Sequence, residues 1–431
     1  MDVKTGFVKA IVNLNKHKNG NYYESYNKAI GSKEVPGSTF KLASLMAALE
    51  DEKVTINDKV NAVGEYKFYK SKLVDSHEGG YGTITIQEAF EKSSNVFSKI
   101  IHKAYKNEPQ AFIDRLKSFG LGDSLGISIK GEPKPTMYEP GYPRWSGISL
   151  PWMAIGYEVQ QTPLQTLTFY NAVANRGTMV RPQFVKEIMR GNSVIKTYSP
   201  EIIHDKICSD KTLKELQKCL EGVVKRGTGS ALKSAFFDIA GKTGTARILN
   251  NENTMASEKK YQASFVGYFP AQEPMYSCIV VVSAPSQNIY GSVVSGTVFT
   301  AIANKVYASS LKHHKPVNDG VERSKEMPIS VDGNKYDLIK IYREFKIPYT
   351  SQTDDEWVTT KTGPSQVELL KRFAGTKTVP NTIGMTAKDA VYLLERTGMI
   401  VKIDGFGKVT EQSVKPGTMA YAGGIVEIKL K

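Results

Sequence analysis

Ser38 and Lys41 are the first residues of the chain whose types and spacing could support catalysis. They bound a Ser-Thr-Phe-Lys stretch that follows a Pro-Gly pair and opens a run of apolar residues with helical spacing, which reaches Leu49. Residues three apart share one face of a helix, so the serine hydroxyl and the lysine amine should lie side by side. A lysine can take the proton of a serine if burial and the helix dipole keep its pKa low, and free backbone amides at a helix start can hold an oxyanion. The pattern predicts Ser38 as a nucleophile and Lys41 as its base.

This spacing alone is weak evidence, because a serine precedes a lysine by three residues at six places in the chain. The copies begin at Ser25, Ser38, Ser193, Ser230, Ser257 and Ser309. Only Ser38 both follows a Pro-Gly stop and opens an apolar helix. The remaining copies are interpreted as surface pairs.

A second candidate is the Ser-Ser-Asn stretch at 93–95, which interrupts a helical region running from about 86 to 105. In a turn, the Ser93 hydroxyl could relay a proton and the Asn95 carboxamide could clamp a peptide substrate. The alternative is a turn that only breaks the helix and caps the next one, from Val96. The residues themselves leave both interpretations open.

Lys242 begins the third candidate, a Lys-Thr-Gly-Thr stretch within a strand predicted over 239–248. On an edge strand Lys242 and Gly244 project to one side, and Thr243 and Thr245 to the other. Gly244 would let a ligand approach the backbone closely, while Lys242 would supply a fixed positive charge near the serine. Thr245 could offer a hydroxyl and a backbone amide.

The elements that must position these residues predict an α+β sandwich. Beyond those above, helices are predicted over 163–174, 212–225 and 297–309. Strands are predicted over 2–14, with a turn at Thr5-Gly6, and over 261–269 and 276–284, the last two forming an antiparallel hairpin through the turn 270–274. Apolar periodicity weakens over 311–372, which is interpreted as a linker with partial structure. From about 379 a separate small unit follows, with a helix capped by Thr386 and three short strands. No internal repeat is visible in the sequence.

Composition excludes several classes of protein. The 431 residues are 40% hydrophobic and carry 57 Lys and Arg against 43 Asp and Glu, a net charge of +14. That balance suits an anionic partner such as nucleic acid, a membrane surface or a wall polymer, or merely keeps the protein soluble. The three cysteines have no metal-site spacing, although Cys208 and Cys219 could pair in an oxidising compartment. No apolar run is long enough for a membrane helix.

Taken together and in this order, the three candidates resemble the S-x-x-K, S-x-N and K-T-G set of penicillin-binding proteins and serine β-lactamases. Residues 1–308 resemble the transpeptidase domain of a class B penicillin-binding protein of the cell-division (FtsI-like) group. Further matching stretches are Thr162-Pro163-Leu164-Gln165, Ala174-Asn175-Arg176-Gly177 and Arg181-Pro182. The tail resembles one PASTA domain through Val379-Pro380-Asn381, Gly384-Met385-Thr386, Gly398-Met399, Gln412-Ser413 and Pro416-Gly417, with Val414 where a proline is common.

The resemblance implies a penicillin-binding/β-lactamase-like α+β fold: an antiparallel sheet sandwiched by helices, an all-helical subdomain, and a small α+β PASTA domain. The expected boundaries are 1–310 for the transpeptidase domain, 311–372 for the linker and 373–431 for the PASTA domain. Whether that last domain binds peptidoglycan or only docks on a neighbour stays open.

The resemblance also implies a catalytic role for each matched residue. Ser38 would attack the D-Ala-D-Ala carbonyl of a peptidoglycan stem peptide and form an acyl-enzyme, with Lys41 as general base. Ser93 and Lys242 would carry the proton to the leaving amine, and Asn95 would hold the donor peptide. An amine of a neighbouring stem would then take the acyl group and form a cross-link, whereas β-lactams would acylate Ser38 and remain bound.

Substrate binding is implied for the third motif. The hydroxyls of Thr243 and Thr245 would bind the terminal carboxylate, and Gly244 would admit the peptide. Backbone amides of Ser38 and Thr245 would form the oxyanion hole. No metal and no cofactor are implied.

The same resemblance implies a place and partners for the protein. It would act in septal wall synthesis on the outer face of the cytoplasmic membrane, beside division proteins such as a glycosyltransferase, and not on nucleic acid. The family carries a membrane anchor and a pedestal domain, so the chain is expected to be a truncated or cleaved form. The alternatives are a D,D-carboxypeptidase, a β-lactamase, and a penicillin sensor or division scaffold without catalysis.

Overall fold

A computed structural model describes residues 1–248, 260–310, 326–372 and 375–431. The chain forms two compact units, Met1–His314 and Lys315–Lys431.

Helices of the first unit are α1 Lys28–Gly31, α2 Lys41–Glu50, α3 Ile86–Glu91, α4 Val96–Tyr105, α5 Pro109–Ser118, α6 Ser149–Met153, α7 Pro163–Ala174, α8 Asp210–Lys225 and α9 Gly291–Ser309, with 3-10 turns at Gly37–Phe40 and Ser230–Leu232. Its strands are β1 Leu14–Lys16, β2 Tyr22–Glu24, β3 Lys59–Ala62, β4 Glu65–Phe68, β5 Ser71–Val74, β6 Gly82–Thr85, β7 Thr136–Met137, β8 Val159–Gln160, β9 Met179–Val180, β10 Glu187–Arg190, β11 Ser193–Thr197, β12 Ile202–His204, β13 Ala240–Arg247, β14 Tyr261–Phe269 and β15 Tyr276–Ser283.

The central sheet of the first unit has the order β13-β14-β15 and is antiparallel throughout. Side chains alternate across it, as the pleat requires. Phe265 and Phe269 pack against Phe299 of α9, with ring centroids 4.7 and 5.8 Å apart, whereas Val266 and Tyr268 belong to the core on the opposite face. The predicted hairpin and the predicted sheet between helices are both confirmed.

Helix α2 runs through the centre of the larger core. Its residues from Lys41 to Leu49 are all buried, because the sequence is apolar on every side of the helix rather than along one stripe. Helices α3, α4 and α5 form the helical part of the unit, and two small antiparallel sheets, β3–β6 and β4–β5, lie in the chain between α2 and α3. The nucleophile candidate therefore stands at the start of the most deeply buried helix.

Two predicted elements differ from the structure. The strand predicted over 2–14 does not form, although the turn predicted at Thr5-Gly6 does, with the Gly6 amide donating to the Asp2 carbonyl at 3.0 Å. On either side of the turn, Asp2 and Phe7 make isolated bridges to different partners, Tyr276 and Gln183. Helix α9 begins at Gly291 rather than at 297. Its glycines suggest a break in the sequence, but a Cβ at Gly291 would lie 2.3 Å from the Ser264 oxygen, so glycine permits close helix–sheet packing there.

The second unit has helices α10 Lys335–Glu344 and α11 Ala387–Glu395, and strands β16 Gly333–Asn334, β17 Tyr349–Ser351, β18 Trp357–Thr362, β19 Val367–Lys371, β20 Ile400–Gly405, β21 Val409–Gln412 and β22 Ile425–Leu430. Each half contains a helix followed by three strands, in which the first strand is parallel to the third and the second antiparallel to it. The first half adds β16 before its helix, antiparallel to β18. The described part of the predicted linker is thus folded and repeats the topology of the tail, although no repeat shows in the sequence. Thr386 caps α11 as predicted.

Two further observations concern the described residues only. None of their helices combines the length and the apolar character needed to cross a bilayer. Cys208 and Cys219 are both buried and free, so the optional pair does not form in this structure.

Candidate active site

Ser38 lies in the 3-10 turn that leads into α2, and Lys41 is the first residue of that helix. The Lys41 side chain is fully buried, and its Nζ lies 3.1 Å from the Ser38 Oγ. The same nitrogen donates to the Ser93 carbonyl at 2.6 Å and to Asn95 Oδ1 at 2.9 Å. Tyr170 of α7 fixes the turn by donating its hydroxyl proton to the Thr39 carbonyl at 2.8 Å. The structure therefore confirms that the Ser38 hydroxyl and the Lys41 amine lie side by side.

The turn at 93–95 joins α3 to α4, as the sequence predicts. Ser93 has φ +57°, a left-handed conformation that a residue with a Cβ seldom adopts and that is typical of functional turns. The Asn95 side chain does not cap α4; instead the Ser94 hydroxyl accepts from the Val96 amide at 3.2 Å. Ser94 supports the helix, as the capping interpretation predicts, while Ser93 and Asn95 face Lys41. The relay and clamp roles of Ser93 and Asn95 stay predictions.

Lys242 of β13 reaches the same turn from the opposite side. Its Nζ donates to the Ser93 Oγ at 2.7 Å and to the Thr243 carbonyl at 3.2 Å, so Ser93 lies between the two lysines. Burial, reinforced by the neighbouring Lys41, lowers the pKa of Lys242 well below its usual value. The fixed positive charge expected on Lys242 stays a prediction.

Strand β13 is an edge strand, as predicted, and it runs directly beside the serine turn. A Cβ at Gly244 would lie 2.3 Å from Ser264 Oγ and 2.9 Å from Thr39 Cγ2. A Cβ at Gly37 would likewise lie 3.0 Å from the Ala246 Cβ. Packing within the protein itself therefore requires glycine at 244. The sequence analysis had explained this glycine by the close approach of a ligand.

The two threonines of β13 have partners in the structure. Thr243 Oγ1 lies 2.7 Å from Thr228 Oγ1, and Thr245 Oγ1 accepts from the Gly291 amide at the start of α9 at 3.4 Å. Both threonines belong to the strand that carries Lys242. The contact of their hydroxyls with a substrate carboxylate remains a prediction.

Sequence reasoning missed an ion pair between the buried Glu91 and the exposed Arg226 beside the strand. Glu91 of α3 is bound by Arg226 through two hydrogen bonds of 2.6 and 2.8 Å, and the Glu91 carbonyl accepts from the Thr228 amide at 3.0 Å. Gly222 and Gly227 make room for Glu91, since a Cβ at either would lie 2.0 or 2.3 Å from its atoms. The only sequence signal was this pair of glycines near the end of α8. Their role becomes clear only from the folded structure, where both lie against Glu91.

The packing of Gly156 against the serine turn gives a testable prediction. Gly156 has φ +85°, and an added Cβ would lie 2.0 Å from the Gly37 carbonyl oxygen, whereas Gly141 has φ +90° with nothing within 4 Å. Both alanine variants carry the left-handed strain of about 1–2 kcal/mol, and Gly156→Ala adds an overpacking cost of roughly 1–3 kcal/mol. We expect Gly156→Ala to have the lower unfolding temperature in thermal melts. Equal melting temperatures for the two variants would show that this contact relaxes without cost.

Comparison with known proteins places this arrangement in a family. Residues 1–304 match the family model described as the penicillin binding protein transpeptidase domain, and residues 377–431 match the PASTA domain. The chain belongs to the penicillin-binding protein transpeptidases, in the class B, cell-division type, with a PASTA domain at its C-terminal end.

Individual relatives agree with this placement. Stage V sporulation protein D of Bacillus subtilis is 28% identical over 94% of this chain and 55% of its own length, and peptidoglycan D,D-transpeptidase FtsI of Escherichia coli is 29% identical over 71% and 50%. Apo penicillin-binding protein 3 of Mycobacterium tuberculosis is 26% identical over 73% of both chains, with a TM-score of 0.62. The chain spans about half the length of the curated relatives just named.

Proposed function

We propose that this protein is a peptidoglycan D,D-transpeptidase that works through a serine acyl-enzyme and is inhibited by β-lactams. The observation that carries the proposal is the contact of the buried Lys41 amine with the Ser38 hydroxyl, beside a second buried lysine linked through Ser93. The curated relatives include proteins named peptidoglycan D,D-transpeptidase, and a related penicillin-binding protein 3 was solved with aztreonam and with ampicillin.

The proposed acylation step uses the groups that meet at Ser38. Lys41 takes the Ser38 proton as Oγ bonds to the carbonyl carbon of the penultimate D-Ala, and the backbone amides of Ser38 and Thr245 hold the oxyanion. The peptide C–N bond then breaks, and the proton returns from Lys41 through Ser93 and Lys242 to the leaving D-Ala amine. Asn95 holds the donor peptide.

Deacylation uses the same groups in reverse. The amine of a second stem peptide attacks the acyl carbonyl, loses its proton to the lysine relay, and forms the cross-link amide while Ser38 regains its hydrogen. Thr243 and Thr245 bind the donor carboxylate before the first step, and Gly244 keeps the strand backbone close to it. As part of this proposal, the reaction belongs to septal wall synthesis on the outer face of the cytoplasmic membrane, with other division proteins such as a glycosyltransferase as partners.

The proposal is tested by supplying a D-Ala-D-Ala stem peptide with an amine acceptor and analysing the products by mass spectrometry. A transpeptidase yields the cross-linked dimer and free D-Ala. Trimmed donor without dimer would make the protein a D,D-carboxypeptidase instead. Absence of both products, with intact donor, would favour the scaffold.

A pH profile checks the role of Lys41. Burial lowers the pKa of Lys41 to about 7, and Asp75 opposes that shift. Only the neutral amine accepts the serine proton, and it predominates above its pKa. We therefore expect the acylation rate constant with penicillin to rise as the pH passes through about 7 and to level off above it. A rate that is flat from pH 5 to 9 would contradict a lysine base.

A further inference from the structure

Asp75, the residue that follows strand β5, is a buried carboxylate that binds the turn at 93–95 through both of its oxygens. Its Oδ2 accepts from the Ser94 hydroxyl at 2.7 Å and from the Tyr66 hydroxyl at 3.2 Å, and its Oδ1 accepts from the Asn95 backbone amide. The side chain is 7% exposed. A buried carboxylate that receives three hydrogen bonds holds its donors firmly, because each bond to a charged acceptor is stronger than a neutral one.

The hairpin of β4 and β5 holds Asp75 and the 93–95 turn through backbone hydrogen-bonding groups. The Asp75 amide donates to the Gly64 carbonyl at 2.8 Å, and the Asn95 Nδ2 donates to the Val74 carbonyl at 2.8 Å. The hairpin therefore fixes the nitrogen of the Asn95 carboxamide, and the oxygen of the same group accepts a hydrogen bond from Lys41. Ser93, with its left-handed backbone, is held in place because the next residue, Ser94, is bound to Asp75.

Charge forms the second link between Asp75 and the reaction. The ionisable groups that face Lys41 are Asp75 and Lys242, and those that face Asp75 are Lys41, Tyr66 and Tyr81. The negative charge of Asp75 raises the pKa of Lys41 against the larger lowering by burial. Burial and the nearby carboxylate raise the pKa of Tyr66 to about 12, so the tyrosine stays a neutral donor.

We propose that Asp75 is the positioning residue of the site: its carboxylate holds the 93–95 turn so that Ser93 and Asn95 meet Lys41. This inference rests on the proposed acyl-enzyme function. Asp75 touches no reacting atom and acts only through the turn and through the field at Lys41.

The test is the rate constant of penicillin acylation, followed by intact mass spectrometry across pH, for wild type, Asp75→Asn and Ser94→Ala. In Asp75→Asn an amide NH₂ replaces one acceptor, so the turn shifts, and we expect the rate to fall on the order of 10- to 100-fold. Loss of the negative charge lowers the pKa of Lys41, so the midpoint of the pH profile should move to lower pH. Ser94→Ala removes the hydrogen bonds of the Ser94 hydroxyl with Asp75, Tyr66 and the Val96 amide but keeps the charge, so the rate should fall about fivefold with an unmoved midpoint.

Asp51→Asn is the matched control, because Asp51 is also a carboxylate that accepts from a tyrosine hydroxyl, Tyr105 at 2.7 Å, but it follows the opposite end of α2. It should lose stability while keeping the wild-type rate and midpoint. If Asp75→Asn only lowers the melting temperature as Asp51→Asn does, with rate and midpoint unchanged, the inference is overturned. If wild type itself forms no adduct, the proposed function fails and this inference falls with it.

Discussion

Lys41→Met should slow penicillin acylation of this protein by about 10²- to 10⁴-fold, the usual contribution of a positioned general base. Methionine keeps much of the length and apolar character of the lysine side chain, so the buried helix α2 can still pack around it. What disappears is the only amine that lies within 3.1 Å of the Ser38 hydroxyl among the described residues. The variant also leaves Asn95 Oδ1 without its donor, so a modest drop in melting temperature accompanies the loss of rate.

Lys196→Met is the matched control for this variant. Lys196 closes another serine–lysine pair of the same spacing, on the exposed hairpin of β10 and β11. Its replacement should leave the acylation rate unchanged. A Lys41→Met protein that is folded and acylates within threefold of wild type would assign the base to another group.

Ser38→Ala should abolish the penicillin adduct and reduce cross-linking by on the order of 10⁴- to 10⁶-fold, as is typical when a nucleophile is removed. The change deletes one hydroxyl that is only half-buried and that accepts one hydrogen bond, from Lys41. The fold should therefore persist, and thermal melting separates loss of chemistry from loss of structure. Intact mass spectrometry and product analysis measure the two effects.

Ser193→Ala is the matched control for the nucleophile, since Ser193 begins the exposed copy of the same motif. It should acylate like wild type. Retention of a stoichiometric adduct in folded Ser38→Ala would move the nucleophile elsewhere in the chain.

Local patterns predicted the elements that carry the site. The helix that Lys41 begins, the turn at 93–95 and the hairpin of β14 and β15 each depend on residues close in sequence, through apolar spacing or helix-breaking residues. The joint presence of three motifs in order, each in its structural context, then predicted that Ser38, Ser93 and Lys242 would meet. The hydrogen bonds among their side chains agree with that prediction.

The support of the site could not be predicted, because it consists of contacts between distant parts of the chain. Asp75 follows an ordinary strand, and only the folded hairpin brings it to Ser94, 19 residues away. Glu91 and Arg226 are separated by 135 residues. The lowered pKa of Lys242 likewise depends on burial that the side chain acquires only in the folded unit.

The central claim is that Ser38 is the residue that becomes acylated, and peptide mass mapping tests it most directly. Wild-type protein is incubated with penicillin, digested with trypsin, and the modified peptide is sequenced by fragmentation. Cleavage after Lys33 and Lys41 isolates residues 34–41, which carry only Ser38 and Thr39 as hydroxyl side chains. We predict one penicilloyl group on this peptide, at Ser38, that persists for hours. An adduct on another peptide, or hydrolysed drug without a lasting adduct, would contradict the account.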